Sequence, residues 1–239
     1  MPYYYYGFDW TYLVLVVPVL ILSLIASAKV NSTFKQYSTQ LSSRRITGAQ
    51  AAQRVLLAHG VTGVQIERIP GNLSDHFDPK TNVIRLSENV YDSTSTAAIG
   101  VACHEAGHAV QYAQNYGPIK LRAAIIPITN IGSKLAMPLI LIGILVTKFG
   151  QFSDILIYLG IGCFALSLVF QLVTLPVEFN ASRRAMTTID QAQILTADER
   201  IGAKKTLTAA AMTYVVATLA AFTQLLRLIL LFGGRRRRD

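Results

Sequence analysis

Two histidines and a glutamate in the short segment CHEAGHAVQ have the clearest capacity for chemistry in this chain. His104 and His108 are four positions apart, so on a helix their imidazoles lie on one face, one turn apart, and can bind the same ion. Glu105 is offset by about a quarter turn, where its carboxylate can reach a water molecule beside that ion without binding the ion itself. The spacing predicts a metal-dependent hydrolytic site with Glu105 as general base.

A catalytic zinc ion has three protein ligands and one open position, so the third ligand must come from another segment. Glu178 is the candidate, because it directly follows the third apolar segment and two membrane crossings, an even number, separate it from His108. Pro176 should end or kink the helix there, so that the following loop folds back toward the histidines. The alternative is an interfacial carboxylate paired with Arg183 or Arg184.

His76, in the segment LSDHFDP, is open to two interpretations. It could stabilise the oxyanion of a tetrahedral intermediate, or it could take part in turn chemistry beside Asp75 and Asp78. His59 is at the end of a predicted helix, where we expect it to contact the last helical carbonyls. It is not a site candidate.

Long apolar segments predict that the chain crosses a membrane. Residues 11–28 and 155–177 carry no charge, and residues 206–232 carry only Arg227. About 20 apolar residues of helix cross the hydrocarbon core of a bilayer. The first segment could be a secretory signal, but no Lys or Arg precedes it, which favours an uncleaved anchor.

A fourth apolar segment, residues 135–147, is too short to span unless its helix begins upstream of Lys134. We therefore expect about four transmembrane helices, or three and a re-entrant segment. The fold class is mainly α, a polytopic membrane protein with a small cytoplasmic α+β part that carries a short sheet. The expected order begins with an N-terminal anchor (residues 1–28) and a cytoplasmic part that carries the edge strand and the histidine helix (29–122). A two-span hairpin (123–177), a cytoplasmic segment with the third ligand (178–205) and a last span with a basic tail (206–239) follow.

The net charge of +9 reflects orientation in the membrane more than a nucleic-acid partner, which we do not expect. Most basic residues lie between the first two spans or between the last two, so both loops should face the cytoplasm, on the inner side of the cell membrane. Four crossings then leave Arg235–Arg238 outside, unless the last helix re-enters. Membrane lipids are the expected partners of this tail.

Local signals within the polar part predict short elements. Thr47 should cap a helix over Gly48–His59 that ends at Gly60. Residues 61–69 and 82–86 read as strands, with a turn at residues 70–72, and the histidine helix should run from about residue 97 to 116. The two cysteines provide no disulfide framework and are interpreted as small buried residues, Cys103 and Cys163.

The segments GNLSDHFDPKTNVIRLSENVY, HEAGHAVQ and LPVEFNASRRA together resemble the YugP-type bacterial membrane zinc metallopeptidases, from about Thr47 to the C-terminus. More distantly, the order of elements is similar to that of HtpX and the CAAX-prenyl proteases. The resemblance implies a gluzincin site for one zinc ion, with His104, His108 and Glu178 as ligands and Glu105 as base.

The resemblance also implies that the second strand is an edge strand along which an extended peptide lies, so that the substrate-binding residues would be Asn82, Val83, Ile84, Arg85 and Leu86. The distant relatives place Asp four residues after the ligand glutamate, where it orients a histidine. This chain has Ser182 there, whose hydroxyl can accept the same hydrogen bond with less charge.

The function predicted from these observations is a zinc endopeptidase of the cell membrane, acting from the cytoplasmic face on unfolded, misfolded or juxtamembrane protein segments. The alternative is a non-catalytic zinc-binding adaptor, against which Glu105 argues because a structural site needs no such carboxylate. A metal transporter would need ionisable ligands within its spans, and these spans hold only Arg227. The oligomeric state is not predicted.

Overall fold

The computed structural model describes residues 4–5 and 8–233, so the predicted Arg235–Arg238 tail lies outside the described residues. Four helices are long and apolar enough to cross a membrane, over Tyr12–Ser38, Gly117–Leu145, Gln151–Gln191 and Ala197–Phe232. The second of them begins at Gly117, well upstream of Lys134, and continues through Pro127 and Pro138. The prediction of four spanning helices is therefore confirmed at the level of length and composition.

The helices and strands follow in this order. A two-residue pair, β1 (Tyr4–Tyr5) and β2 (Phe8–Asp9), precedes a π-helical turn and α1. The helices are α1 (Val17–Ser38), α2 (Gly48–Ala58), α3 (Glu88–Tyr91), α4 (Thr96–Ala113), α5 (Gly117–Leu145), α6 (Gln151–Gln191) and α7 (Ala197–Phe232). The remaining strands are β3 (Gln65–Ile69), β4 (His76–Asp78) and β5 (Val83–Ser87).

The chain divides into two compact units, which we call the apolar unit and the polar unit. The apolar unit comprises Met1–Ile25, Leu121–Leu175 and Tyr214–Asp239, and the polar unit comprises Ala26–Lys120 and Pro176–Thr213. Within the apolar unit, small residues let α5 and α6 approach closely. A Cβ on Gly160 would lie 2.8 Å from the carbonyl oxygen of Ala136, and the Ser153 hydroxyl donates to the carbonyl of Gly143 at 2.6 Å.

An ion pair between Asp9 and Arg227 lies inside the apolar unit. The Arg227 guanidinium donates from Nε to Oδ2 of Asp9 at 3.0 Å, and its carbon lies 5.2 Å from the centroid of the Tyr12 ring. A charge within an apolar helix needs such a partner, because an unpaired charge in hydrocarbon is costly. The contact places the N-terminal end of the first spanning helix beside the C-terminal end of the last.

The polar unit is built around α4, which packs on α2 and on the three-stranded sheet. The capping signals predicted for α2 are confirmed, since Thr47 and Gln50 form a reciprocal capping box and Gly60 adopts φ +64° after the last turn. Cys103 is buried in this core, as expected, whereas Cys163 is only partly buried, which differs from the prediction; both thiols are free.

The sheet differs from the predicted one in its strand order, which is β3-β5-β4. β5 pairs in parallel with β3 over five residues and antiparallel with β4 over three. The expectation that Val83–Leu86 forms an edge strand is therefore wrong, because β5 is the central strand. The prediction missed β4, whose three residues are too few to show an alternating pattern.

Helix α6 also differs from expectation, since it runs unbroken from Gln151 to Gln191 through Pro176. The predicted loop after the third apolar segment does not exist, and Glu178 is presented by a helix. Pro176 is tolerated because a long helix can lose one backbone hydrogen bond while its neighbouring turns hold it together.

Candidate metal centre

Helix α4 is positioned by its cap and by burial on nearly every face. The Ser95 hydroxyl accepts from the Ala98 amide at 3.2 Å and begins the helix. Fourteen of its residues are buried, including Glu105 and His108, while His104 is half-buried. A largely buried helix gives its side chains few alternative positions, which is what a precise ligand geometry requires.

The two imidazoles meet the carboxylate of Glu178 at one point. Nε2 of His104 lies 3.3 Å from Oε2 of Glu178, and Nε2 of His108 lies 3.5 Å from the same oxygen. The two rings stand nearly perpendicular, at 82°, with their centroids 4.7 Å apart. The Glu178 side chain is only 3% exposed, so the three donors converge away from solvent.

The two separations between imidazole and carboxylate match those around a tetrahedral metal ion. All three ligand atoms lie within 4.8 Å of one another. Donors bonded to zinc at about 2.0–2.2 Å in a tetrahedral arrangement are about 3.3–3.5 Å apart, the separation seen between each imidazole and the carboxylate. Two imidazole nitrogens and one carboxylate oxygen are also a donor set that suits zinc. His104, His108 and Glu178 could therefore hold a zinc ion.

The other ring nitrogen of each histidine is bonded to a side-chain oxygen. Nδ1 of His104 lies 3.0 Å from the hydroxyl of Ser182, and Nδ1 of His108 lies 3.0 Å from Oε1 of Gln111. Partners of this kind fix the ring orientation and leave Nε2 free to bind a metal. The contact expected for Ser182 from its position in the sequence is present in the structure.

Glu105 is buried beside the pair of histidines on the same helix. Burial raises the pKa of its carboxyl group, although the nearby charges of His104 and His108 oppose that rise. A carboxylate whose pKa is shifted toward neutrality is suited to accept a proton and release it again. Burial likewise raises the pKa of the adjacent Cys103 thiol, which keeps it protonated and unsuited to metal binding.

His76 has a local contact in the structure. Its Nδ1 donates to the carbonyl of Ser74 at 2.8 Å, within the turn that leads into β4. This is the turn chemistry that the sequence left open, whereas the role in oxyanion stabilisation stays a prediction. The backbone amide of His59 donates to the carbonyls of Val55 and Leu56 at the end of its own helix, as expected, while its Nε2 contacts the hydroxyl of Thr188 on α6 at 2.9 Å.

The five residues predicted to bind substrate behave as core and turn residues. Val83, Ile84 and Leu86 are buried, and Ile84 and Leu86 belong to the main hydrophobic core. Arg85 pairs with Asp78 and Glu67, and the Asn82 amide donates to the Gly63 carbonyl at 2.8 Å. Glu178 contacts His104 and His108. Arg184 donates to Oδ1 of Asn180 at 2.7 Å.

Sequence reasoning missed Gln111 and Asn180, which lie beside the ligands. Gln111 is fully buried and bonds both His108 and residues of α6. Its position three residues after His108 puts it near the ligand face of α4, and this helical spacing could have indicated it.

Comparison with known proteins agrees with this geometry. Residues 12–233 match the sequence profile of a family described as "Putative neutral zinc metallopeptidase". The chain belongs to this zinc metallopeptidase family. It is also 43% identical over 225 residues to "Putative membrane protease YugP" of Bacillus subtilis (strain 168), an alignment that covers 94% of this chain and 98% of that protein. No solved structure matches.

Membership of the zinc metallopeptidase family and the convergence of His104, His108 and Glu178 are independent observations that point to the same metal. The match extends across all four helices that could span a membrane, and the Bacillus relative is described as a membrane protease. The resemblance drawn from the motifs is thus confirmed for the family.

Proposed function

We propose that this chain is a zinc endopeptidase of the gluzincin type that works at a cell membrane. The observation that carries the proposal is the convergence of ligand atoms from His104, His108 and Glu178 within 4.8 Å of one another, with Glu105 buried on the same helix as the histidines. A structural zinc site is closed by four protein ligands, whereas three ligands and a neighbouring carboxylate are typical of a catalytic one.

A bound zinc ion would supply Lewis-acid polarisation of a peptide carbonyl and would lower the pKa of water toward 7. Glu105 would accept the proton of the attacking water and then deliver it to the nitrogen of the leaving amine. Burial raises the pKa of this carboxyl group, and so makes it a better acceptor than an exposed glutamate. Ser182 and Gln111 would hold the two imidazoles in place during this transfer.

For substrate binding, we assign to β4 the edge-strand role that was expected of β5. β4 is the terminal strand of the sheet, it packs on α4, and its outer edge has no strand partner among residues 8–233. An extended peptide could add to this edge through main-chain hydrogen bonds. Only a flexible or unfolded segment can adopt that form, so the proposed substrates are misfolded or juxtamembrane protein segments.

Several features support a place at the membrane. Glu178 belongs to the same helix as the third apolar segment, and the large basic loops favour a cytoplasmic position for the polar unit. We infer that the site works on the cytoplasmic face of the cell membrane, with one zinc ion per chain. Lipids are then its permanent partners.

Two variants test the proposal against the adaptor alternative. Purified full-length Glu105→Gln should keep zinc near one equivalent and lose cleavage of an unfolded substrate such as reduced, denatured casein. Glu178→Ala should lose both zinc and cleavage, because two imidazoles alone hold the ion weakly. Equal turnover by wild type and Glu105→Gln, or absence of turnover in zinc-loaded wild type, would contradict the peptidase assignment and favour an adaptor.

A further inference from the structure

Gln111 connects one zinc-ligand candidate to the helix that carries another. Its carbonyl oxygen Oε1 lies 3.0 Å from Nδ1 of His108, while its amide nitrogen donates to the carbonyl of Val177 at 2.8 Å. Val177 is the residue before Glu178. The side-chain amide of Gln111 thus joins the His108 imidazole on α4 to the backbone of α6 next to the Glu178 carboxylate. Gln111 is 0% exposed.

The amide of Gln111 can take only one orientation. A backbone carbonyl can only accept hydrogen bonds, so the atom that faces Val177 must be the NH₂ group. The same nitrogen donates to Oδ1 of Asn180 at 3.0 Å. The identity of this Asn180 atom as an oxygen is also fixed, because Nε of Arg184 donates a hydrogen bond to it at 2.7 Å. A guanidinium group can only donate. Rotation of the Gln111 amide by 180° would bring two oxygens against its carbonyl oxygen.

The orientation of this amide determines the tautomer of His108. Because Oε1 of Gln111 can only accept, the proton of a neutral His108 ring must be on Nδ1. Nε2 then carries the lone pair, and Nε2 is the atom that lies 3.5 Å from Oε2 of Glu178. The chain of obligatory donors and acceptors therefore runs from Arg184 and Val177, through Gln111, to the metal-facing nitrogen of His108.

We propose that Gln111 is a positioning residue that holds His108 in the Nδ1–H tautomer and ties its ring to the α6 segment bearing Glu178. The proposal rests on the proposed zinc site but not on catalysis. Its contribution is separate from packing, since an apolar side chain of similar size could fill the same volume without accepting a proton from Nδ1. Loss of such a partner typically lowers metal affinity by about 10- to 100-fold.

The test is zinc affinity of the purified full-length chain, measured by competition with a chromophoric chelator. Gln111→Met removes the acceptor and the donor while keeping similar volume, and its zinc dissociation constant should rise by about 10- to 100-fold. Gln111→Glu keeps an acceptor for Nδ1 in either protonation state of the carboxyl group. Its zinc affinity should stay well above that of Gln111→Met. Gln53→Met, at an exposed glutamine of α2, is the matched control and should bind zinc like wild type.

Two outcomes would overturn the proposal. Unchanged zinc affinity in Gln111→Met would indicate a packing role only, and an equal loss in Gln111→Met and Gln111→Glu would show that an acceptor for Nδ1 of His108 does not matter. If the variants do not fold, ¹⁵N-histidine NMR of zinc-loaded wild type still decides the question. The expected signature for His108 is a protonated Nδ1 and a metal-bound Nε2, and the reverse assignment contradicts the proposal. Zinc binding is measured here without substrate, so wild type that binds zinc but cleaves nothing would refute the peptidase and leave this inference standing.

Discussion

Gly107 of α4 lies against the backbone of Ala181 on α6, so closely that a Cβ on Gly107 would stand 2.7 Å from the Ala181 carbonyl oxygen. Gly107 is the residue before His108, and Ala181 lies three positions after Glu178. This close contact between the two helices is therefore within one turn of the ligands on both sides. Glycine at 107 permits the short distance between the imidazoles and the carboxylate.

Replacement of Gly107 by Ala should force the two helices apart, because backbone atoms cannot rotate away as a side chain can. We expect a loss of about 1–3 kcal/mol in unfolding free energy and a marked loss of zinc affinity. Thermal unfolding in detergent and chelator competition measure the two effects. Gly162→Ala, also on a long helix but with open space around its added Cβ, is the control and should lower neither stability nor zinc affinity. A Gly107→Ala protein with wild-type zinc affinity would show that the close approach is not needed.

Ser182 offers a second test of ligand orientation, at the other histidine. Ser182→Ala removes the oxygen that lies 3.0 Å from Nδ1 of His104, and zinc affinity should fall by roughly tenfold or more. Ser182→Asp should raise zinc affinity above wild type, because a carboxylate makes the imidazole a stronger ligand. Ser32→Ala, at an exposed serine of α1, serves as control. Equal zinc dissociation constants for all three variants would argue against a role for this contact.

Zinc affinity should begin to fall at a pH closer to neutrality than the ordinary pKa of a histidine would give. Burial alone lowers the pKa of His108, but its hydrogen bond to Glu178 and the charge of Glu105 raise it overall above its ordinary value of 6.5. Zinc must displace this proton, so affinity should be constant above the raised pKa and should fall by about tenfold per pH unit below it.

Isothermal titration of the metal between pH 5.5 and 8.5 measures this dependence. Glu105→Gln removes one of the charges that raise the pKa of His108, so its affinity should begin to fall at a lower pH than in wild type. A decline that begins well below pH 6 in wild type would contradict the expected shift.

The central position of β5 in the sheet also predicts how a substitution in this strand affects stability. Ile84 is fully buried in the central strand, so Ile84→Ala should lower unfolding free energy by about 2–5 kcal/mol. Zinc content and turnover per folded molecule should stay near wild type. Thermal unfolding and activity of the folded fraction distinguish this outcome from a substrate-binding role, in which KM would rise while stability held. Exposed Leu57→Ala is the control for an apolar truncation without burial.

The parts of the site that were predictable depend on local geometry or on topology. His104, Glu105 and His108 are fixed by helical spacing, which any helix of that sequence must obey. The proximity of Glu178 to them follows from an even number of crossings. The loop expected to present it was wrong, because Pro176 lies within an apolar helix whose neighbouring turns hold it together.

Strand order and the contacts of Gln111 with α6 required the folded chain. β4 is only three residues long, and its pairing with β5 depends on the turn that begins at Pro70 and places Leu73 at φ +53°. The carboxylate of Asp75, just before β4, accepts a hydrogen bond from the Ser87 backbone amide of β5 at 2.7 Å and so extends the contact between the two segments. Contacts such as that between Gln111 and Val177 join residues 66 positions apart. No local pattern encodes them.

The contact between Asp9 and Arg227 bears on how the chain is studied in cells. Since it holds the beginning of the first apolar helix against the end of the last, we expect these two helix ends to lie on the same side of the membrane. Reporter enzymes fused at one terminus or the other should therefore give the same signal, active together or silent together. Such a matched pair of fusions is an internal check on orientation that needs no knowledge of the protein's substrate.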